Sequence, residues 1–170
     1  MITITFKDGR KIDVELYKNV APITVKNFIN LVNDKFYDRV CFHRIIKDFM
    51  IQTGGYYFKN NQLNVKDEAN SIIGEFSKNG YPNNLKHEFG VISMARSNDY
   101  NSASAQFFIC TGTSPHLDGS YAAFGKVVGE ESEKVLRDLN KVETQNIGYG
   151  FQNFPTEEIT IATIRISDEK

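Results

Sequence analysis

The chain opens with a regular alternation of apolar and polar residues. Residues 2–6 read ITITF, and residues 12–16 (IDVEL) resume the alternation after the pair Asp8-Gly9. A period of two is typical of a half-buried strand, and Asp-Gly favours the tight turn that joins two such strands. The sequence therefore predicts a β-hairpin at the start of the protein.

Two later segments have a helical period instead. Apolar residues recur at three- and four-residue spacing over residues 22–33, where Pro22 occupies a first-turn position that tolerates proline. Residues 130–140 show the same spacing, and the first turn there is acidic, which suits the positive end of a helix. Both segments are predicted to be α-helices.

The remaining apolar runs are short and predict strands at residues 40–46, 49–52, 91–94, 105–110, 124–128 and 159–166. In the last run the apolar positions shift from odd to even, which predicts a β-bulge near Ala162. Residues 53–85 are rich in Asn, Lys, Gly and Tyr and have little periodicity, so we expect one long functional loop there. Many short strands with two helices indicate a mainly β protein, a β-barrel covered by helices.

Composition and charge narrow the class of protein. With 170 residues, 41% of them hydrophobic and 24% charged, the chain fits a single globular domain over residues 1–170. The net charge of -1 provides no overall field for nucleic acid or an anionic membrane, so neither is expected as a partner. No signal peptide or apolar span is visible, and we expect a cytoplasmic monomer.

The candidate chemistry lies in three of the predicted strands. If residues 42–46 and 49–52 form a hairpin about Lys47-Asp48, Arg44 and Gln52 face each other within about one residue of register. Gln106 and Phe108 share one face of a later strand. These residues supply one guanidinium, two amides and large apolar groups, and no nucleophile–base pair is visible.

Metal and thiol chemistry find little support in the spacing of their usual ligands. His43, His87 and His116 lie too far apart to match common zinc motifs, so neither a metal nor another cofactor is expected. Cys41 and Cys110 each lie in an apolar run, which favours buried, reduced thiols. A disulfide between them stays open, because the sequence does not give their separation.

These runs, taken together, resemble the signature of the cyclophilin family of peptidyl-prolyl cis-trans isomerases, and are closest in character to its bacterial single-domain members. The similar segments occur in family order over almost the whole chain: FHRII at 42–46, FMIQ at 49–52, SMA at 93–95, AQFFICT at 105–111, HLDG at 116–119 and FGKV at 124–127. The resemblance implies a closed eight-stranded antiparallel β-barrel capped by two α-helices, with a substrate groove on its outer surface.

The resemblance also implies roles for individual residues. Arg44 corresponds to the catalytic arginine of the family, and the expected ligands are proline-containing peptides and unfolded proteins. The residues that correspond to the proline pocket and to the peptide-holding groups of the groove are His43, Phe49, Met50, Gln52, Ala95, Arg96, Gln106, Phe108, His116, Leu117 and Tyr121. The implied activity is cofactor-independent isomerisation of X-Pro bonds in support of protein folding.

Four departures from the family pattern affect these expectations. His116 stands where many members have Trp, so cyclosporin, the family's typical macrocyclic inhibitor, is expected to bind more weakly. Tyr121 occupies a position often held by His, and Arg96 replaces an Asn common in eukaryotic members. Residues 53–56 (TGGY) stand where a Gly-Gly-Asp run is usual, so the shape of the following loop is not predicted.

Two alternatives to an isomerase remain open at this stage. The first is a peptide-binding or chaperone module in which isomerisation is incidental, and the presence of both Arg44 and Gln52 favours the enzyme over it. The second is a metal- or thiol-dependent enzyme, which predicts sensitivity to chelators or to alkylating reagents.

Overall fold

The computed structural model describes residues 1–66 and 69–167, which form two α-helices and eleven β-strands. The helices are α1 (Pro22–Asn33) and α2 (Glu130–Asn140). The strands are β1 (Ile2–Phe6), β2 (Lys11–Leu16), β3 (Val40–Ile46), β4 (Met50–Lys59), β5 (Gln62–Val65), β6 (Val91–Met94), β7 (Phe107–Cys110), β8 (Ala123–Val128), β9 (Thr144–Gln145), β10 (Phe154–Pro155) and β11 (Ile161–Ile166). Neither helix is long and apolar enough to cross a membrane.

Nine of the strands form one antiparallel sheet, in which β5 pairs with β4 and the other eight curl into a nearly closed barrel. The order of neighbours is β11-β1-β2-β8-β6-β7-β4-β3. An isolated bridge between Cys41 and Thr160, and the bond from the Phe42 N–H to the Ile159 carbonyl (2.8 Å), join the two end strands. The predicted mainly β barrel with two helices is confirmed.

The interior of the barrel holds the main hydrophobic core, and both helices place their apolar residues on it. Phe28 of α1 lies 5.2–5.3 Å, ring centre to ring centre, from Tyr37, Phe107 and Phe124. Leu136 of α2 belongs to the same buried cluster. Aromatic pairs at this spacing stabilise the fold beyond the contribution of buried apolar area alone. They therefore hold α1 firmly over the barrel interior.

The predicted bulge in the last strand is present. In the pairing of β1 with β11, Thr5 lies opposite Thr163 and Phe6 lies opposite Ile161, so Ala162 is the extra residue. The bulge lets the apolar residues on both sides of Ala162 point into the barrel although their numbering changes parity.

The prediction of one long loop over residues 53–85 is wrong in its first third. Strand β4 continues to Lys59 and turns through Asn60-Asn61 into β5, which pairs with β4. Both asparagines have positive φ (54° and 60°), the conformation of a two-residue hairpin turn. Strands in this hairpin are only half-buried, so the segment lacks the apolar contrast by which a strand is recognised in a sequence.

Candidate active site

The candidate site lies on the outer face of three adjacent strands, β3, β4 and β7. Arg44 pairs with Gln52, and Gln52 pairs in turn with Phe108. Residues directly opposite each other in a sheet point to the same side, so these three side chains form a row across the barrel wall. The predicted register of Arg44 against Gln52 is confirmed.

Two amide side chains continue from the guanidinium along this row. Arg44 Nη1 donates to Gln52 Oε1 at 3.2 Å, and Gln52 Nε2 donates to Gln106 Oε1 at 3.0 Å. Gln106 lies one residue before β7, which begins at Phe107 rather than at the predicted residue 105. The chain of amides holds the half-buried guanidinium in one orientation and uses one of its five N–H donors.

Beside Arg44 lies a cavity of about 150 Å³, called here the apolar pocket. It is lined by Arg44, Phe49, Met50, Gln52, Ala95, Arg96, Phe108, Leu117 and Tyr121. Met50, Phe108 and Leu117 form a hydrophobic cluster separate from the barrel core. The pocket therefore has an apolar floor, and the charged residues on its walls are Arg44 and Arg96.

Two pairs of neighbouring residues are arranged differently around this pocket. Phe107 points into the barrel and is fully buried there, while Phe108 points outward to the pocket. Phe49 and Met50 both line the pocket, because Phe49 lies in the turn before β4 and does not follow strand alternation.

Two of the predicted site residues, Gln106 and His116, lie next to the apolar pocket rather than on its wall. Gln106 lines a second cavity of about 430 Å³, called here the polar cavity, which shares Gln52, Ala95 and Arg96 with the apolar pocket. His116 is exposed, and its ring lies 5.7 Å from that of Phe49.

His43 lies on the opposite side of Arg44, in a third cavity. Its ring packs 4.7 Å from that of Tyr56, and only 7% of the residue is exposed. Burial, with a smaller effect of the Arg44 charge, lowers the pKa of His43 to about 4. The imidazole is therefore neutral at physiological pH, and it does not line the apolar pocket.

A buried hydrogen-bond relay, which the sequence spacing did not reveal, lies behind Phe108. Both the backbone N–H and Nδ1 of His87 bond Asp118 Oδ1, at 2.7 and 2.9 Å, and Nε2 lies 2.9 Å from Ser93 Oγ. A carboxylate only accepts, so Nδ1 carries the proton and the Ser93 hydroxyl donates to Nε2. The ring of His87 stacks on Phe108 at 6.0 Å, so the relay supports the pocket floor.

The relay has the order of a Ser-His-Asp triad, but its serine cannot serve as a nucleophile. Ser93 is fully buried and His87 is 1% exposed, so no substrate reaches the hydroxyl. Burial lowers the pKa of His87 against the opposing effect of Asp118. The pKa of Asp118 is lowered because its hydrogen bonds with His87 outweigh the effect of burial, which raises it. The three residues are structural.

The two cysteines are free and buried, as the sequence indicates. Burial raises the pKa of the Cys41 thiol and that of the Cys110 thiol to about 12 each. Both thiols are therefore protonated and poorly nucleophilic at neutral pH. Within residues 1–66 and 69–167, no three His, Cys, Asp or Glu side chains come together as metal ligands.

Comparison with known proteins agrees with this geometry. Residues 1–166 match the family model described as cyclophilin type peptidyl-prolyl cis-trans isomerase/CLD. The chain is 37% identical over 160 residues to peptidyl-prolyl cis-trans isomerase A of Dickeya dadantii, covering 91% of this chain and 78% of that protein. It is 39% identical over 151 residues to peptidyl-prolyl cis-trans isomerase cypE of Dictyostelium discoideum, covering 88% and 87%.

A solved structure shares the whole fold. The crystal structure of a cyclophilin type isomerase from Cryptosporidium parvum, determined in the presence of the dipeptide Ala-Pro, superposes with a TM-score of 0.77 at 28% identity and covers 99% of each chain. The barrel, the outer groove and these matches define an isomerase of X-Pro peptide bonds. The chain belongs to the cyclophilin family of peptidyl-prolyl cis-trans isomerases.

Proposed function

We propose that the protein binds a proline-containing peptide across the outer face of β3, β4 and β7, with the proline ring in the apolar pocket and Arg44 as the catalytic residue. The observation that carries the proposal is the position of Arg44 on the wall of that pocket, held by Gln52. A pyrrolidine ring is apolar and compact, and Met50, Phe108 and Leu117 offer it a matching surface.

The reaction requires no bond to be broken. A planar amide is stabilised by resonance, and rotation about it faces a barrier of roughly 18–20 kcal/mol. Uncatalysed X-Pro isomerisation therefore takes about 10–100 s. An acceleration of about 10⁵-fold corresponds to about 7 kcal/mol of selective transition-state stabilisation.

Arg44 supplies a group that binds the twisted amide better than the planar one. As the amide twists, the proline nitrogen recovers a lone pair that accepts a hydrogen bond, whereas the planar nitrogen does not. The guanidinium is always charged and has N–H groups beyond the one bonded to Gln52. A donor fixed before the reaction begins costs little reorganisation when the charge develops.

The Arg44→Ala variant tests this role. We expect kcat/KM for an X-Pro peptide to fall by about 10²–10³-fold, the usual effect of removing one transition-state donor. Peptide binding, followed by NMR chemical shifts, is expected to persist because the apolar pocket is intact. Arg137→Ala, on the exposed face of α2, is the matched control and keeps the wild-type rate.

The competing function is a peptide-binding module in which isomerisation is incidental. A folded Arg44→Ala protein that binds proline peptides and isomerises them at the wild-type rate would contradict the catalytic role and favour this alternative. Loss of binding together with activity would instead make Arg44 a binding residue.

The same site supports two narrower proposals about ligands. We propose that exposed X-Pro bonds of unfolded proteins are the substrates, since the groove lies open on the barrel surface and needs no cofactor. Cyclosporin is expected to inhibit weakly, because His116 offers a smaller and more polar surface beside Phe49 than the family's Trp. We further propose that the protein acts as a monomer.

A further inference from the structure

A second guanidinium, that of Arg96, lies on the wall shared by the apolar pocket and the polar cavity. Arg96 Nε and Nη2 donate to the Ser120 carbonyl at 3.1 and 2.6 Å, and Nη1 donates to the Ser97 carbonyl at 2.9 Å. These bonds fix the plane of the guanidinium. An anion that binds it therefore loses little affinity to side-chain ordering.

Aromatic rings add to this support. The guanidinium carbon of Arg96 lies 4.4 Å from the ring centre of Tyr121 and 5.1 Å from those of Phe76 and Tyr100. Tyr121 also contacts the ring of Phe108, on the pocket floor, at 6.0 Å. Carbonyl oxygens and ring faces stabilise the cation, but they carry no negative charge that would neutralise it.

No carboxylate balances this charge within the two cavities as the described residues line them. Their walls contain Arg44 and Arg96 but neither Asp nor Glu. The carboxylates of Asp99 and Glu75 line neither cavity: Asp99 Oδ1 accepts from the Asn101 N–H, and Glu75 Oε1 accepts from the N–H and hydroxyl of Thr24. The charged residues that line the two cavities are thus all cationic, although the whole chain has a net charge of -1.

The polar cavity has the lining that a carboxylate side chain requires. Besides Arg96 it presents the hydroxyl-bearing residues Ser97, Ser102 and Ser104 and the amides of Gln52 and Gln106. Two of the five N–H donors of a guanidinium are left after the three bonds to carbonyls, and they suit a carboxylate oxygen. Because the cavity shares three residues with the apolar pocket, a side chain close to the bound proline reaches it.

We propose that Arg96 determines substrate specificity, making this isomerase prefer X-Pro bonds with an Asp or Glu side chain within two residues of the proline, seated in the polar cavity. The inference rests on the proposed function, since it assumes that the proline ring occupies the apolar pocket. A partly exposed ion pair of this kind is worth a few-fold in affinity.

Matched peptides test the preference. Each peptide contains one proline and carries either Glu or the isosteric Gln at one of four positions, the two before the proline and the two after it. The kcat/KM of each peptide is measured in low and in high salt. For the wild-type protein we expect Glu to exceed Gln by about two- to five-fold at one position at least, and high salt to reduce that ratio.

Three variants assign the preference to Arg96. In Arg96→Gln the Glu/Gln ratio at the responsive position is expected to fall to about one, and in Arg96→Lys, which keeps the charge, to stay above one. Lys11→Gln, at the exposed first residue of β2, changes the net charge equally and is expected to keep the wild-type ratio. If Arg96 serves only to brace Tyr121, Arg96→Gln slows both peptides alike and leaves the ratio unchanged, which overturns the proposal.

Failure of this inference and failure of the proposed function are distinguishable. The Gln peptides report isomerisation without any contribution from a carboxylate. If they are turned over while the wild-type Glu/Gln ratio is about one at all four positions, the specificity role is refuted and the isomerase site stands. If no peptide responds to Arg44→Ala, the assignment of the site itself is wrong. The wild-type ratio decides the question even if Arg96→Gln does not fold.

Discussion

At the scale of single residues, the orientation of Arg44 depends on two amides. Gln52 accepts from the guanidinium and donates to Gln106, so its side chain transmits the rigidity of the β7 end of the sheet to the catalytic group. Each neutral or charge-assisted bond of this kind contributes about 1–3 kcal/mol when its partner is lost. Gln52 is thus a positioning residue whose effect is felt at Arg44.

The Gln52→Leu variant keeps the side-chain volume but removes the acceptor. We expect kcat to fall about ten-fold, equivalent to about 1.4 kcal/mol, because the guanidinium then samples orientations that miss the proline nitrogen. KM is expected to change less, since the apolar floor is untouched. Steady-state kinetics at several peptide concentrations separates the two constants.

Gln52→Glu is the conservative counterpart, because it retains an oxygen acceptor for Arg44. Its kcat is expected to lie above that of Gln52→Leu. If Gln52→Leu raises KM and leaves kcat unchanged, Gln52 serves only to hold the peptide, and the positioning role is refuted.

The sequence predicted the row across the sheet better than the residues beside it. Strand alternation and a hairpin about Lys47-Asp48 suffice to bring Arg44 opposite Gln52. The separate location of His43 depends on an irregularity of the β3–β4 register between Phe42 and Arg44, which no local pattern announces. The bonds of His87 to Asp118 and Ser93 join residues 31 and 6 positions apart, and only the folded chain brings them together.

At the scale of elements, β4 passes close to the end of β7 at two glycines. Gly54 has φ = +107°, and a Cβ there would lie 2.7 Å from Gln106 Cα and 2.8 Å from the Ala105 carbonyl oxygen. A Cβ on Gly55 would instead lie 2.4 Å from Gln106 Nε2, a flexible side-chain atom. The first contact is with backbone that cannot move freely, and the second is with the amide that ends the chain from Arg44.

Alanine substitutions at these glycines are expected to have different effects. Gly54→Ala should lower the free energy of unfolding by more than Gly9→Ala, a matched control with φ = +96° and nothing within 4 Å of the added Cβ. The control carries only the conformational cost of about 1–2 kcal/mol. Gly55→Ala should lower kcat/KM by displacing Gln106, with a smaller loss of stability.

Urea unfolding and peptide kinetics on the same three proteins measure both effects. Equal destabilisation by Gly54→Ala and Gly9→Ala would show that the close approach of β4 to residues 105 and 106 does not constrain the sheet. Wild-type kinetics of Gly55→Ala would show that the Gln106 side chain has room to move without disturbing the site.

The extended β4 also marks the limit of the sequence-based prediction. Residues 56–59 and β5 form an edge hairpin whose side chains are mostly half-buried or exposed, so apolar and polar positions do not alternate cleanly. The only local signal was Asn60-Asn61, a pair suited to positive φ, between two short runs containing apolar residues. Strands that are buried on one face, such as β1 and β2, carried a clear pattern and were predicted correctly.

At the scale of the whole molecule, the wall that carries the site is packed on both faces. Ile51, Phe107 and Ile109 point into the barrel core, while Met50 and Phe108 belong to the outer cluster. Close packing on both faces resists displacement of the strands. The arrangement of groups around Arg44 is therefore a property of the intact barrel, and conditions that weaken the barrel also disturb the site.

Acid is one such condition, and His43 provides its clearest cause. The unfolded chain binds a proton at this imidazole with the ordinary pKa of 6.5, whereas burial first and the Arg44 charge second lower the pKa of folded His43 to about 4. Protons therefore favour the unfolded state between these two values. The contribution of neutral His43 to the free energy of unfolding is fully present above pH 6.5, and about 3 kcal/mol of it is lost as the pH drops to 4.

The lowered pKa of His87 acts in the same direction. The slope of the wild-type free energy of unfolding against pH therefore has two sources. The contribution of Asp118, whose pKa is lowered, is lost only as the pH falls below its ordinary value of 3.8, and measurements above pH 4 leave it largely intact.

Urea unfolding of wild type and His43→Phe at pH 7, 6, 5 and 4 separates the effects of the two histidines. The free energy of unfolding of the variant should fall by about 3 kcal/mol less than that of wild type over this range. Tyr56→Phe, which alters the same ring cluster but keeps the imidazole, should retain the wild-type slope. If His43→Phe also retains it, the imidazole is already accessible to protons in the folded barrel, and the acid sensitivity of the site must arise from the relay behind Phe108.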